Sequence, residues 1–222
     1  MQSVQYTPQQ ISNGLDLLVH KIAKIGLSAE IISPFFREKK INGERFVINR
    51  ETMPLVIILQ DAIKYHYGQL GRCYFDGQGK ENNTASISVL VDQIFNSNSD
   101  GTQRKINYET EFNNINEKLR KAEKYKNKLR KYCNKHFAHT DIKSLRAVEK
   151  DYVDLSIPWD EFVGLINDAK DVLRSLYLVC QKSPCDFSEH AYEEYKNQFW
   201  KLINFTEVKI ANHTPQSKKD SD

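Results

Sequence analysis

The chain has 222 residues, 40% of them apolar and 27% charged, with a formal charge of +3, which is the balance of a globular protein and not of a disordered one. No stretch approaches the roughly 18 uninterrupted apolar residues of a membrane span, and Met1-Gln2-Ser3-Val4-Gln5 lacks the basic and apolar parts of a secretory leader, so the expected address is cytoplasmic with no membrane partner. The cysteines at 73, 133, 180 and 185 need no disulfide framework in a reducing compartment, and without a C-x-x-C pair no metal and no cofactor are expected.

Residues 8 to 26 read as a helix with Ile11, Leu15, Leu18, Val19, Ile22 and Ile25 on one face and Gly26 as its stop signal. A shorter helical piece from Ala29 to Lys39 is limited or kinked by Pro34, with Phe35 and Phe36 as anchors. Asn42-Gly43 marks a turn with a few extended residues around it. A largely apolar helix then runs from Glu51 to Tyr74, with Pro54 tolerated in its first turn and Gly68 and Gly71 allowing another helix to come close. Gly77 to Thr84 is a polar loop, Ala85 to Phe95 a short helix capped by Thr84 or Ser86, and Asn96 to Asn107 a second loop containing Asp100-Gly101.

Tyr108 to Asp141 is the stretch around which the chain is organised. Its apolar residues, Tyr108, Phe112, Ile115, Leu119, Ala122, Tyr125, Leu129 and Tyr132, recur every three or four positions, and no Gly or Pro interrupts them, so a helix of about 30 residues and roughly 45 Å is expected. From Lys118 to Lys135 nine Lys or Arg face one acid, Glu123, a local +8 in a chain whose total is +3. Residues 142 to 156 read as loop. Pro158 opens a helix near Ser156 that carries Trp159, Phe162, Ile166, Ala169, Leu173, Leu176 and Cys180, and Ser183-Pro184 ends it. Asp186 and Glu189 start a last helix through Ile203, and residues 211–222 are a disordered tail. Six or seven helices, no convincing strand pair, no repeat and no linker give one all-α helical bundle over residues 1–210.

The end of the organising helix reads Cys133-Asn134-Lys135-His136-Phe137-Ala138-His139-Thr140-Asp141. It resembles the Arg-Asn-Lys-x-x-Ala-His-x-Asp signature of HEPN-domain proteins, in particular the AbiU2 branch associated with abortive infection and toxin systems. Leu70-Gly71-Arg72-Cys73-Tyr74-Phe75-Asp76 and Ser86-Ile87-Ser88-Val89-Leu90 are similar to that branch's earlier helix, its Arg-x-x-x-Asp turn and its small-residue helix start. The resemblance covers about residues 50 to 180. It implies a HEPN-like helical bundle that forms a homodimer around a cleft, RNA as a partner, an antitoxin or other defence-system protein as a further one, and, in active members, metal-independent endoribonuclease chemistry.

Under that resemblance His139 is the principal catalytic candidate, with Asn134, Arg130 and His136 as helpers. Lys124, Lys128, Lys131 and Lys135 are the RNA-binding candidates on the basic face. An imidazole suits the proton exchange with a ribose 2′-hydroxyl. The departure is Cys133, which stands where the family has its arginine, five residues intervening before His139. A thiol has neither the permanent charge nor the donor fork that holds a phosphate. On an ideal helix Arg130 and His136 lie about 120° apart and about 9 Å along the axis, and Arg130 and His139 about 180° apart, so a substitute cation would come from Lys135, Arg130 or the partner chain across the cleft.

Each candidate also has a structural reading. His136 continues the Tyr125, Leu129, Tyr132 face and could pack there, His139 could cap the helix C-terminus, and Cys133 could be a packed small hydrophobe. The lysines could be a solvated face. Two functions are therefore carried forward: a catalytically degenerate relative acting by RNA or protein association, and an active ribonuclease using His139.

Overall fold

The computed structural model describes residues 5–37, 40–41, 44–45, 53–76, 85–96, 99–137, 157–180 and Phe187. Within them the chain forms α1 (Pro8–Arg37), a ribbon of β1 (Lys40–Ile41) and β2 (Glu44–Arg45), α2 (Met53–Phe75), α3 (Ile87–Phe95), α4 (Ser99–Asn107), α5 (Glu109–Phe137) and α6 (Trp159–Val179). The architecture is the expected all-α bundle. The ribbon flanking Asn42-Gly43 pairs antiparallel, Lys40 with Arg45 and Ile41 with Glu44, and adds no layer to it.

Helical period explains the core. Ile11, Leu15, Leu18, Ile22, Ile25, Ala29 and Ile32 of α1 are all buried at steps of three and four, so the stripe passes through Gly26 without a break. α1 is accordingly one helix of 30 residues, which corrects the expected stop at Gly26 and the separate second piece from Ala29. Gly26 is instead a contact: a side-chain carbon there would lie 3.2 Å from Lys170 Cε and 3.6 Å from Ile166 Cγ2 of α6. Burial of Ala29 and Ile32 outweighs the local breakers, as tertiary packing commonly does.

The second correction concerns Asn96 to Asn107, expected as loop and found to contain α4. Asp100-Gly101 looked like a turn signal, but Gly101 sits inside the helix against the end of α3, where an added side-chain carbon would be 2.5 Å from the Phe95 carbonyl oxygen. Only a residue without a β-carbon lets the two short helices meet this closely. α4 then runs into α5 through the single residue Tyr108, whose N–H donates to the Arg104 carbonyl at 2.9 Å and whose own carbonyl accepts from Phe112 N–H at 2.9 Å.

α3 begins as read, with Ser86 as N-cap accepting from Val89 N–H at 3.4 Å, and the Ser88 hydroxyl ties it to the Tyr74 carbonyl at 2.6 Å. α6 starts behind Pro158. Tyrosine hydroxyls join it to its neighbours: Tyr74 donates to the Leu165 carbonyl at 2.7 Å and Tyr67 to the Ile157 carbonyl at 2.9 Å, while Tyr177 bonds Asp16 of α1. Burial, with Asp168 next in weight, holds the Tyr74 phenol well above its usual range, so it stays a donor. The expected loop over 142–156, the expected last helix apart from buried Phe187 and the expected tail lie outside the described residues.

Candidate functional site on the long helix

α2 and α5 share the most extensive helix contact of the fold. They cross at Gly71, where an added β-carbon would stand 2.9 Å from Leu129 Cβ and 3.3 Å from the Leu129 carbonyl carbon and oxygen. The expected close approach is thus made at Gly71. Along α5, Ile115, Ala122 and Leu129 are fully buried, seven residues apart, with Phe112, Leu119 and Tyr125 packed beside them. Such a line faces α2 and α6, and a helix pinned along it has a fixed rotational phase.

A second set of contacts locks that phase from α6. Lys118 Nζ donates to Asp168 Oδ1 at 3.0 Å and Asp171 Oδ2 at 2.9 Å, and Arg174 donates to Asp171 Oδ1 at 3.0 Å. Burial by itself would lower the Lys118 ammonium, but hydrogen bonds to Asp171 and Asp168 and their charges outweigh it and hold it above the usual lysine range. For Asp171 burial acts upward, and the bonds and charges of Lys118 and Arg174 carry it below the usual carboxylate range. Tyr125 is raised by its partial burial and then by its hydrogen bond to Glu161. Lys126, on the other flank, holds Glu123 at 2.6 Å and lies 5.1 Å above the Phe75 ring of α2.

The candidate residues divide as follows. Lys124 is exposed and Lys128 half-buried. Arg130, Lys131, Cys133, Asn134, Lys135 and His136 all fall within helical backbone, because α5 continues to Phe137. His139 lies outside the described residues, two positions past that end. Counting on from Leu129 at about 100° and 1.5 Å per residue, position 133 falls about 40° away and about 6 Å further along, and position 136 about 20° away and about 10 Å along. Both registers belong to the line of Ile115, Ala122 and Leu129. The positions of Lys124, Lys131 and Lys135 fall on the opposite side. The same count shows that a spacing of six residues gives about 120° for Cys133 and His139 as well as for Arg130 and His136, so angle alone does not separate the motif pair from the substitute pair.

Sequence reading missed two features. The Lys118, Asp168 and Asp171 cluster joins residues some 50 positions apart, and only the i, i+3 spacing of the two acids on one helix hinted at it. The other is His66 of α2, largely buried, with Nδ1 making no hydrogen bond and its ring edge-on to Tyr65 at 5.4 Å. Burial, and then the charge of Lys24, lower its pKa to about 4, so it is neutral at pH 7. Among the described residues no group of three or more His, Cys, Asp or Glu could hold a metal ion, and no helix is long and apolar enough to cross a membrane.

Residues 62–199 match the family model HEPN_AbiU2, described as AbiU2. No curated protein and no solved structure matches the chain. The match takes in α2 from Ala62, the whole of α5 with its histidine motif, and α6, more than half of the sequence. On that span and on its all-helical architecture, the chain belongs to the AbiU2 family of HEPN proteins.

Proposed function

We propose that this chain is an abortive-infection protein of the HEPN type whose RNA-cleaving site is degenerate and which acts by association, chiefly with RNA, as a single-domain homodimer in the cytoplasm. One observation carries the reading: Cys133 occupies the position of the motif arginine. Charge developing on a phosphate in the transition state needs a fixed donor, and loss of one such donor typically costs on the order of 100-fold or more in rate. Helical register is in keeping with it, since position 133 follows buried Leu129 by about 40° around α5. In this reading Arg130, Asn134, His136 and His139 are remnants of a site, and Lys124, Lys128, Lys131 and Lys135 supply the charge for association. An antitoxin or other defence protein is the second class of partner. The copies meet at the C-terminal end of α5 and not along its cationic middle, where like charges repel.

A second reading is favoured by what the motif keeps, Asn134, Lys135, Ala138, His139 and Asp141. Here His139 takes the proton of a ribose 2′-hydroxyl, the oxygen attacks the adjacent phosphate, and a 2′,3′-cyclic phosphate is left, with Arg130, Lys135 or the partner copy's cation bearing the charge. Purified protein incubated with total RNA in the absence of metal, beside His139→Ala and Cys133→Arg, separates the two. Cleavage by Cys133→Arg alone is the expected result. Cleavage by the unmodified chain that disappears in His139→Ala overturns the degenerate reading.

A further inference from the structure

The outer side of α5 is built as a rail. Arg120, Lys121, Lys124, Lys128, Lys131 and Lys135 fall by helical register within a sector of about 100°, opposite the buried line of Ile115, Ala122 and Leu129. Taken as Arg120, Lys124, Lys128, Lys131 and Lys135, successive cations are about 6, 6, 4.5 and 6 Å apart along an axis length of about 22 Å. From Arg120 onward no acid enters the sector. Glu123 lies on a different flank, held by Lys126 at 2.6 Å, and Glu117, at the beginning of the sector, makes only a loose pair with Lys121 at 3.8 Å. Arg120 and Lys124 are exposed. Lys118, which turns inward, pairs with Asp168 and Asp171, and Lys121 at the edge of the sector reaches Asp168 at 4.0 Å.

Such a row is matched by a polyanion with a regular repeat. The cation spacing is commensurate with the phosphates of an extended nucleotide strand, one cation to each phosphate. A duplex fits less well: the major groove of A-form RNA is too deep and narrow to admit a helix, and its two strands wind away from a straight rod. Contacts to phosphate carry no sequence information, so the row offers a hold on the backbone without a choice of base.

We propose that a single RNA strand lies along the outer side of α5 from Arg120 to Lys135, held through about five consecutive phosphates without regard to sequence. This rests on the RNA-association reading above and specifies how the strand is held.

The test is fluorescence anisotropy with a labelled 20-nucleotide oligouridine between 50 and 300 mM salt, using the full chain and the variant Lys124→Gln/Lys128→Gln/Lys131→Gln, whose thermal melt verifies folding. Five phosphate contacts to a single strand give a slope of log affinity on log salt of about −3.5, and the triple variant is expected to reduce it by about 2 and to weaken binding at least tenfold at the lowest salt. Oligothymidine of the same length is expected to bind comparably, because the contact is to phosphate, and duplex RNA more weakly. A folded triple variant with undiminished slope and affinity, or duplex bound as tightly as single strand, overturns the rail while leaving RNA association intact. Absence of binding to any of the three probes by the unmodified chain overturns the RNA-association reading and the rail with it.

Discussion

The protein is expected to lose stability between pH 7 and pH 5 because the unfolded chain protonates His66 in that window and the folded chain does not. The imidazole is buried in α2, its Nδ1 lacks a hydrogen-bond partner, and burial followed by the Lys24 charge lowers its pKa from 6.5 to about 4. A folded-state value below the unfolded one means that the unfolded chain binds the proton more readily. Stability is therefore complete above pH 6.5 and declines as the pH falls through 6.5 towards 4. The full difference is worth about 3 kcal/mol, and about 2 kcal/mol of it disappears between pH 7 and pH 5. Urea unfolding followed by circular dichroism at half-unit steps over that window, for the unmodified chain and for His66→Leu, isolates the effect, because the other histidines titrate in both. His66→Leu should lose about 2 kcal/mol less than the unmodified chain between pH 7 and 5, and should be at least as stable at pH 5, where no imidazole proton is left to bury. Parallel curves for the two proteins would refute the assignment of a buried neutral imidazole.

Gly71→Ala brings a β-carbon to 2.9 Å from Leu129 Cβ and 3.3 Å from its carbonyl group; overpacking of this kind outweighs the gain in helix propensity, for a net loss of about 1–2 kcal/mol and a fall in Tm of about 2–8 °C. Because the atoms in the way are common to every residue except glycine, Leu129→Ala should add its own cost without relieving the first, and recovery in the double variant would show that the clash is with the leucine tip. Gly101→Ala, meeting a carbonyl oxygen at 2.5 Å, is expected to lower Tm by more than Gly71→Ala in the same scan. Lys118→Met leaves Asp168, with 17% of its side chain exposed, without its close partner and should cost about 1–3 kcal/mol at pH 7. Since Lys118 and Arg174 hold Asp171 below the usual carboxylate range, that stabilisation is present above the unfolded carboxylate pKa and fades as the pH falls through the folded one, so the two proteins should converge in strong acid.

The helices were legible wherever one periodic stripe decided the matter. α2, α5 and α6 lie close to where the three-and-four spacing puts them, because their buried residues are also their apolar ones. Breakers misled where a glycine served a neighbour instead of its own backbone: Gly26 makes room for Lys170 and Ile166, and Gly101 for the Phe95 carbonyl. Neither requirement is written in the local sequence, since the partner lies on another helix or on the far side of a bend. The candidate site shows the reverse pattern. Its motif is a short string that can be read without coordinates, whereas the ion-paired cluster that orients the helix under it couples Lys118 to residues 168 and 171 and becomes visible only when α5 and α6 are side by side.

That orientation is what gives the substitution at position 133 its meaning. Gly71 admits the backbone of α5 at Leu129, and Lys118 is drawn to Asp168 and Asp171 near the other end of the buried line. Two fixed points about 16 Å apart on one rod leave it no freedom to rotate. Once the phase is set, the exposed Lys124 lies on the outer side and position 133 takes the register of buried Leu129, about 40° further round. Charge placed in the register of Leu129 carries a desolvation cost. A cysteine carries no such cost. Cys133→Arg is accordingly expected to be less stable than the unmodified chain by about 1–3 kcal/mol, and an unchanged thermal melt would refute an inward register for position 133.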